Sequence, residues 1–478
     1  MEDYKRKFIE FALAKGLGIF DDSKQDKTLK SQRISPWFLN VGEFNDGVTS
    51  GRLTEAYAEA IINSGIKVNA LYGIPEKGVG LVEPIAIEMA RKGHNVHWFF
   101  TRKLPKQHGE ATAKTDLTKL VVGHSPQQGQ SIGKIDDVFT TGETKYEARE
   151  TLNAMGKFNF PLLAIALDRQ EVGIDGKDAI AEYEEKTETK VVSVISASDV
   201  LDYLGEQFAN TENREATGRK IERLSNYLRV YGTEAARGKV GKLEQTIMER
   251  DRSVIPACDI PTIEEFEELV KQTADIEGIG GYKIGFELGL GYGLPRVVET
   301  ARKHTKKPLI YDHQKAATDI PPTGKNFARV MKNSGIDAVI FFPQAGPETE
   351  RAWIFHALDN ELKVIVGGRM THPAYAVSEG GFITDEGALE MYRIAARIGV
   401  NDFVVPGNKP EVIKQIREIV EAEGSRPVFY APGFIAQGGS LSDAAQVAGE
   451  RFHGIVGRGI YEAKDMRQAA LEHTSQIK

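Results

Sequence analysis

Eight short apolar segments alternate with helix-length stretches in the second half of the chain, and no other feature of the sequence constrains the fold as strongly. The segments are VIPACDI, GYKIGFEL, KPLIYDHQ, AVIFFPQA, LKVIVGGRM, DFVVPG, PVFYAPG and HGIVGRGIY. Strands that alternate with helices form parallel sheets, and eight such units close into a barrel. We therefore predict a C-terminal (β/α)8 (TIM) barrel with its active site at the carboxyl ends of the strands.

The first half of the chain carries a separate α/β pattern. From Lys67 onward, β-branched runs alternate with helical stretches, in the order VNALYGI, NVHWFF, KIDDVFTT, FPLLAIALD and TKVVSVISASD. This alternation predicts a doubly wound parallel sheet. A charged stretch follows in which Ile221, Leu224 and Leu228 recur at helical intervals. We predict a first domain at residues 1–208, a helical connector at 209–250 and a second domain at 251–478.

Composition limits the classes of partner. The 478 residues carry a formal net charge of −7, which provides no electrostatic footprint for nucleic acid or an anionic membrane. No apolar run is long enough to span a bilayer. The single cysteine, Cys258, excludes an internal disulfide framework and fits a reducing compartment. We expect a cytoplasmic protein whose partners are small molecules.

The segment SIGKIDDVFTTGET (131–144) contains the first chemical motif. It places two adjacent carboxylates, Asp136 and Asp137, between a strand and the turn that leads into a helix. Backbone N–H groups of such a turn bind anions, and paired carboxylates suit the vicinal hydroxyls of a sugar or a magnesium ion that accompanies a polyphosphate. The turn residues that add donors are Thr140, Thr141, Gly142 and Thr144. The alternative is an acidic turn that only caps a helix.

This motif resembles the phosphoribosyl-pyrophosphate (PRPP) motif of type I phosphoribosyltransferases, and further segments resemble orotate phosphoribosyltransferase. TLKSQRISPWFLNVGEFNDG is similar to that family's substrate segment, TRKLPKQHGEAT to its mobile catalytic loop and LDRQEVG to its orotate-contacting strand end. The resemblance implies orotate and PRPP as substrates, with Mg²⁺ accompanying PRPP near the two aspartates. The residues it implies are Lys30, Phe38, Thr140 and Arg169 for orotate, Asp136 and Asp137 for ribose, and Arg102, Lys103, Lys106 and His108 for pyrophosphate.

The basic loop has a physical interpretation of its own. Arg102, Lys103 and Lys106 place like charges on a loop that contains proline and glycine, which favours exposure until a polyanion compensates the charges. We expect a lid that excludes water, in which Lys103 and Lys106 act catalytically by stabilising the departing pyrophosphate. The alternative is a solvated surface loop.

The second chemical motif is KPLIYDHQKAATDIPPTG (307–324). It sets Asp312, Lys315 and Asp319 at the end of a strand, while Lys283 lies in the strand segment GYKIGFEL. Carboxylates on either side of a lysine keep it protonated as a general acid, and an aspartate opposite a substrate carboxylate favours loss of that carboxylate. The alternative is a ladder of surface ion pairs.

This segment resembles the Asp-x-Lys-x-x-Asp-Ile-Pro-x-x-Thr signature of orotidine 5′-monophosphate (OMP) decarboxylases. The resemblance implies a decarboxylation of OMP that needs no cofactor, and a dimer in which Asp319 serves the other subunit. Lys315, Asp312, Asp319 and Lys283 would be catalytic. The substrate-binding residues that it implies are Asp259, Thr323, Thr371, Gln437, Gly438, Gly439, Gly457 and Arg458.

The spacing within the second motif departs from that signature. Two positions separate Asp312 from Lys315 where the family has one, and three separate Lys315 from Asp319 where the family has two. One inserted residue reverses the direction of the following side chains in a strand. We therefore predict a local bulge between Asp312 and Lys315 that restores the geometry.

Taken in order, the two halves resemble bifunctional UMP synthases, a family that converts orotate to OMP and OMP to UMP. The resemblance implies a homodimer or higher homo-oligomer. Two alternatives stay open for the second half. One is a barrel that uses a metal to act on another sugar phosphate, and the other is a non-catalytic barrel that binds nucleotide.

Overall fold

The chain forms two compact units in a computed structural model that describes residues 1–29, 31–102, 117–139, 142–173, 175–434 and 440–477, with only the backbone described at 117–118 and 314–315. The first unit comprises Met1–Lys27 and Ser35–Val240, and the second comprises Thr28–Ile34 and Gly241–Lys478. The predicted α/β class is confirmed in both units. The domain boundaries at 208 and 250 remain a prediction.

A six-stranded sheet forms the centre of the first unit. Its strands, in spatial order, are Lys190–Ser196, Asn159–Asp168, Ser131–Ile135, Ala70–Gly73, His97–Thr101 and Val121–Gly123. The first five are parallel, as predicted, and the last is an antiparallel edge strand that the sequence pattern did not predict. Separate short pairs are Leu17–Ile19 with Trp37–Leu39 and Lys27–Thr28 with Ile34–Ser35.

The strand order contains a topological switch point. After Ala70–Gly73, the chain adds His97–Thr101 on one side and then returns to add Ser131–Ile135 on the other. In doubly wound sheets, ligands bind outside the carboxyl ends of the strands at this position. Asp136 directly follows one of the two strands at the switch point, so the fold positions the predicted motif there.

Helices pack around this sheet and begin at recognisable caps. Asp46 and Thr49 form a capping box at the start of one helix, and Ser196 and Asp199 form another. The predicted connector is helical up to residue 240, and this part groups with the first unit. The helices are Asp3–Lys15, Gly47–Asn63, Lys77–Arg91, Glu143–Met155, Ala179–Thr187, Ala197–Asn210, Arg214–Tyr231 and Glu234–Val240.

The second unit is a closed barrel of eight parallel strands, as predicted. The strands are Arg252–Cys258, Tyr282–Ile284, Leu309–Ala316, Ala338–Phe341, Lys363–Gly367, Asp402–Val404, Val428–Ala431 and Phe452–Val456. Such strands are buried on both faces and read as continuous apolar runs, which explains why each of them is visible in the sequence.

Helices separate the barrel strands along the chain. They are Ile263–Thr273, Phe286–Leu288, Leu294–Arg302, Thr323–Asn333, Pro347–Asp359, Asp385–Ile398, Pro410–Ala422 and Leu441–Ala448. Arg458–Tyr461 and Met466–Ser475 follow the last strand. Within the described ranges, the chain has no helix that combines the length and the apolar character needed to cross a bilayer.

A buried polar network lies inside the barrel. The Asp402 carboxylate accepts hydrogen bonds from the Tyr430 hydroxyl at 2.8 Å and from Gln245 Nε2 at 2.7 Å. His453 Nδ1 shares a hydrogen bond with Ser253 Oγ at 2.8 Å. Burial raises the pKa of Asp402 to about 6 and lowers the pKa of His453 to about 3. Both shifts favour the neutral form of the group, and the His453 imidazole is neutral at pH 7.

The stability of the barrel is expected to depend on the protonation of His453. Because the pKa of His453 is lowered on folding, its imidazole binds a proton between pH 7 and pH 5 in the unfolded chain but not in the folded chain. The free energy of unfolding therefore falls by about 2 kcal/mol over this pH interval. Asp402 acts in the opposite direction, since its raised pKa makes the folded state retain a proton. In His453→Asn the destabilisation caused by His453 at low pH disappears, and the opposite effect of Asp402 remains.

Urea unfolding of both proteins at pH 7 and pH 5 tests this expectation. The stability advantage of the wild type over His453→Asn should shrink by about 2 kcal/mol between these two pH values. An advantage that does not change with pH would contradict the assignment of a neutral, buried imidazole.

Candidate active sites

The adjacent carboxylates Asp136 and Asp137 lie at the switch point of the first unit, and they differ in their surroundings. Asp136 is 5% exposed, whereas Asp137 is half-buried. Asp136 Oδ2 forms an ion pair with Lys145 Nζ at 2.6 Å, and Asp136 Oδ1 accepts a hydrogen bond from the Asp137 N–H at 2.9 Å. Burial raises the pKa of Asp136, although Lys145 opposes the shift. Asp137 is therefore the more accessible carboxylate.

The helix Glu143–Met155 begins immediately beyond the turn. Its N-cap, Gly142, has φ of 79° in the left-handed region, which glycine adopts without strain. Thr144, in the first turn, is exposed, and its hydroxyl accepts a hydrogen bond from Lys145 Nζ at 3.2 Å. A helix start after such a turn presents backbone N–H groups to an anion. Thr140 and Thr141 lie outside the described residues.

A close backbone approach fixes the strand that carries Asp136. A Cβ atom at Gly78 would lie 2.1 Å from the carbonyl oxygen of Ile135, the last residue of that strand. By contrast, a Cβ atom at Gly80, in the same helix Lys77–Arg91, would meet nothing within 4 Å. Only the first position therefore requires the absence of a side chain.

Gly78→Ala is expected to destabilise the first unit by about 1–3 kcal/mol, because the backbone must move to admit the methyl group. Gly80→Ala, the matched control, should stabilise the chain by about 0.5–1 kcal/mol because it removes a helical glycine. Denaturant unfolding of the two variants measures both effects. Equal free energies of unfolding for the two variants would show that the backbone at Gly78 can admit a methyl group beside Ile135.

The side chain of Arg169 is surrounded by partner side chains at the end of the strand Asn159–Asp168. Its guanidinium lies 4.5 Å from the ring centroid of Trp37, contacts Glu171 Oε1 at 2.6 Å and donates to Ser35 Oγ at 2.9 Å. Burial alone would lower the pKa of Arg169, but Glu171 and Tyr227 together outweigh it and the pKa is raised. This arrangement holds a planar cation in one orientation, as recognition of a carboxylate requires.

Other predicted residues of the first unit are accessible to solvent or fall outside the description. Phe38, on the strand Trp37–Leu39, is 38% exposed, although it is a large aromatic side chain. Arg102 is exposed, and its backbone N–H donates to the Leu120 carbonyl at 2.9 Å. Four predicted residues lie outside the described residues, namely Lys30, Lys103, Lys106 and His108.

In the second unit, Lys283 lies between two carboxylates at the carboxyl ends of the barrel strands. Its Nζ is 3.1 Å from Asp312 Oδ2 and 3.5 Å from Asp259 Oδ1. The lysine is 6% exposed. Burial alone would lower the pKa of Lys283, but Asp312 and then Asp259 outweigh it and the pKa is raised. Lys283, Asp312 and Asp259 therefore form an alternating charge array. The array predicted around Lys315 stays a prediction, because the side chain of Lys315 lies outside the described residues.

The third barrel strand contains the predicted irregularity. Tyr311 pairs with Val339, but Ala316 pairs with Phe341, so the third strand carries three extra residues over this interval. The irregularity spans Asp312 and the backbone of Lys315, whose side chain lies outside the description. The predicted irregularity is thus confirmed, and it is longer than a single inserted residue. That it restores the geometry of Lys315 stays a prediction.

The segment beyond this strand is stabilised by local hydrogen bonds. Asp319 is exposed, and its Oδ1 accepts from the Ile320 N–H at 2.7 Å. The Thr323 hydroxyl donates to the Ile320 carbonyl at 2.6 Å, and Ile320 itself is 61% exposed. An exposed aspartate beside an exposed apolar side chain is available to a second molecule of the same chain.

The remaining predicted residues lie at the later strand ends of the barrel. The carbonyl of Thr371 accepts a hydrogen bond from Asn408 Nδ2 at 3.1 Å. Gly457 is half-buried, and the exposed Arg458 starts the short helix Arg458–Tyr461 directly after the eighth strand. Three predicted phosphate-binding residues lie outside the described residues, namely Gln437, Gly438 and Gly439.

Several side chains at these sites were not singled out from the sequence. Lys145 contacts Asp136, Ser35 and Trp37 surround Arg169, and Asn408 donates to Thr371. A lysine in the first turn of the helix after the acidic pair was a visible signal for the first contact. The other partners are far apart in the chain, so spacing alone carried no signal for them.

The surroundings of Asp136 and Asp137 bear on the expected magnesium ion. Among the described residues, no three His, Cys, Asp or Glu side chains are grouped to hold a metal. Asp136 is already paired with Lys145, so only Asp137 presents an accessible carboxylate. These residues fit an ion that remains bound to the oxygens of a polyphosphate rather than one held in a protein cage.

Comparison with known proteins identifies relatives of both units. Residues 252–473 match the family described as orotidine 5′-phosphate decarboxylase / HUMPS family. The N-terminal half matches orotate phosphoribosyltransferases. The relative from Thiobacillus denitrificans is 35% identical over 232 residues, which are 48% of this chain and 100% of that protein. The relative from Marinobacter nauticus is 38% identical over 232 residues, with the same coverage of 48% and 100%.

One solved structure of a decarboxylase is similar to part of this chain. An orotidine 5′-monophosphate decarboxylase from Methanocaldococcus jannaschii, complexed with the inhibitor BMP, is 26% identical. The alignment covers 48% of this chain and 99% of that one, with a TM-score of 0.42. The family match, rather than this superposition, therefore identifies the second unit.

Proposed function

We propose that this chain, which belongs to the orotate phosphoribosyltransferase family and carries an orotidine 5′-phosphate decarboxylase / HUMPS domain, makes UMP from orotate in two steps. The first unit would transfer phosphoribose from PRPP to orotate and form OMP. The second would decarboxylate OMP. The observation that carries the proposal is the buried Lys283 held between Asp259 and Asp312, because it brings three of the residues predicted for the decarboxylase site together at one end of the barrel.

In the transferase step, N1 of orotate gives up its proton to solvent and bonds to C1 of PRPP, while pyrophosphate leaves with the electron pair of the broken C–O bond. Arg169 and Phe38, with Lys30 and Thr140, would hold orotate, while Asp136 and Asp137 contact the ribose. The turn that contains Thr141, Gly142 and Thr144 would bind the 5′-phosphate. Mg²⁺ bound to PRPP would supply charge neutralisation at the pyrophosphate.

The basic loop would complete the transferase site. Arg102, Lys103, Lys106 and His108 would close over the departing pyrophosphate and stabilise its charge by charge-assisted hydrogen bonds. Exposure of Arg102 supports this role, since the first residue of the loop is accessible to an anion.

In the decarboxylase step, the bond from C6 of OMP to its carboxylate breaks, CO₂ leaves and the electron pair remains on C6. Asp312 and Asp319 would oppose the bound carboxylate, and Lys315 would stabilise the C6 carbanion and give it a proton. Lys283 and Asp259 would contact the ribose, and Thr323 and Thr371 would contact the rest of the nucleotide. This half is proposed to need no cofactor.

Phosphate binding would support the chemistry at the base of OMP. Gln437, Gly438, Gly439, Gly457 and Arg458 are proposed to bind the phosphate at the last two strand ends, the usual phosphate site of such barrels. Binding energy gained at a remote phosphate can be used at the reacting carbon. The exposed Arg458 at the start of a helix supports this assignment.

The expected state is a homodimer or higher oligomer in the cytoplasm. Exposed Asp319 and the 61% exposed Ile320 support a subunit contact at which Asp319 completes the partner's site. The lone Cys258 is a buried free thiol, which suits a reducing compartment.

Product analysis tests the proposal. The purified protein is incubated with orotate, PRPP and Mg²⁺, and accumulation of UMP with release of CO₂ is expected. A reaction that stops at OMP would leave the transferase assignment intact and reject the decarboxylase, which would favour a barrel specific for another sugar phosphate. Unchanged orotate would reject the transferase step.

A further inference from the structure

Lys145 is a buried cation in an unfavourable position. It is the third residue of the helix Glu143–Met155 and only 4% exposed. A helix N-terminus carries a partial positive charge, so a lysine in the first turn is disfavoured by the helix dipole. Removing an ammonium group from water adds a further cost. A specific partner must therefore offset both costs.

That partner is Asp136, which lies on the other side of the turn. The 2.6 Å ion pair joins the end of the strand Ser131–Ile135 to the first turn of the helix, on either side of residues 140 and 141. Lys145 Nζ also contacts the Thr144 hydroxyl at 3.2 Å and lies 5.8 Å from the ring centroid of Phe139. All these contacts belong to the turn and its two ends.

The pair also determines which carboxylate can meet the substrate. Asp136 accepts a hydrogen bond from the Asp137 N–H through Oδ1, and its carbonyl accepts one from the Tyr57 hydroxyl at 2.6 Å. Asp136 is thus held by Lys145, Tyr57 and the backbone. Asp137 uses one oxygen to accept from the Val138 N–H at 2.8 Å and is half-buried.

We propose that Lys145 is a positioning residue for PRPP. It ties the strand to the helix that flanks the phosphate-binding turn, and it neutralises one of two adjacent carboxylates that would otherwise repel a polyanionic substrate. Asp137 is then the more accessible of the two carboxylates toward the ribose hydroxyls, while Asp136 contacts the ribose with its charge compensated. This inference rests on the proposed transferase function.

The test measures KM for PRPP and for orotate separately in the full chain. Lys145→Met keeps the length of the side chain and removes the charge, so KM for PRPP should rise by about tenfold or more while KM for orotate changes by less than about twofold. The matched control is Lys190→Met, which breaks a 2.8 Å ion pair with Glu184 on an exposed face of the same unit. It should change neither constant.

Lys145→Arg separates charge from packing. If Lys145 acts through packing, methionine should replace it better than the larger arginine. If Lys145 acts through its charge, as proposed, arginine should replace it better than methionine. KM for PRPP in Lys145→Arg should therefore lie closer to the wild type than in Lys145→Met. The opposite order overturns the proposal, as does an equal rise of both KM values in Lys145→Met.

If Lys145→Met does not fold, Lys145→Gln is measured by the same criteria, because its amide can still donate to Asp136. A wild-type protein that does not convert orotate rejects the proposed function. Normal wild-type conversion with an unchanged KM for PRPP in the folded variant rejects only the role of Lys145.

Discussion

Lys283→Met is expected to stop the conversion of OMP to UMP while OMP continues to form from orotate and PRPP. The substitution leaves Asp312 and Asp259 without the cation that lies 3.1 Å and 3.5 Å from them. Loss of this cation removes electrostatic stabilisation from the proposed site, so kcat/KM for OMP should fall by about 100-fold or more, which is about 3 kcal/mol of transition-state stabilisation. Product analysis by chromatography would detect accumulated OMP.

Accumulation of OMP is itself a positive control, because it requires a folded and active first unit. Lys271→Met is the matched substitution in the second unit. Lys271 is 64% exposed and pairs with Glu268 at 3.8 Å within one helix, so its loss should leave UMP formation within about twofold of the wild type. UMP formation by Lys283→Met at a tenth or more of the wild-type rate would contradict the proposed array.

The barrel was predictable from the sequence because of how its strands are buried. Segments such as AVIFFPQA and LKVIVGGRM are apolar on both faces and are bounded by polar or glycine-containing turns. The edge strand Val121–Gly123 has only three residues, too few for a periodic pattern. Gln245 was assigned to the connector, yet its side chain bonds to Val364 and Asp402 in the barrel, a contact that no local pattern encodes.

The candidate sites were predictable to a different extent. The motifs placed Asp136, Asp312 and Lys283 at strand ends, because the carboxyl ends of parallel strands lie at one edge. The unusual spacing after Asp312 predicted an irregular strand, but the number of extra residues depends on pairing with the neighbouring strand. Two partners of Arg169, Ser35 and Trp37, come from a segment more than a hundred residues earlier in the chain, so only the folded structure identifies them.

Arg169→Ala is expected to stop the first step and spare the second. The guanidinium contacts Glu171, Ser35 and the face of Trp37, so its removal leaves the Glu171 carboxylate without this cation in a buried pocket. Because Arg169 is proposed to hold the carboxylate of orotate, its loss should lower kcat/KM for orotate by about 100-fold or more, which is about 3 kcal/mol. OMP supplied directly should still be converted to UMP.

Arg229→Ala provides the control for the loss of an arginine in the first unit. Arg229 donates to Asn226 and to the Val240 carbonyl, away from the residues proposed to bind orotate. The kcat/KM of Arg229→Ala for orotate should stay within a few-fold of the wild type, because the hydrogen bonds it removes go to uncharged groups that are not proposed to contact orotate. Retention of orotate conversion by Arg169→Ala would contradict the role of Arg169.

A mixture of Arg169→Ala and Lys283→Met should recover UMP formation from orotate, although neither protein forms it alone. Lys283→Met makes OMP and releases it into solution. Arg169→Ala then binds this OMP and decarboxylates it, because the two substitutions affect different units. The rate should rise with the concentration of the Arg169→Ala protein until OMP no longer accumulates. If the mixture forms no UMP while each variant keeps its own step, OMP must remain with the chain that made it, and the two sites would be coupled rather than independent.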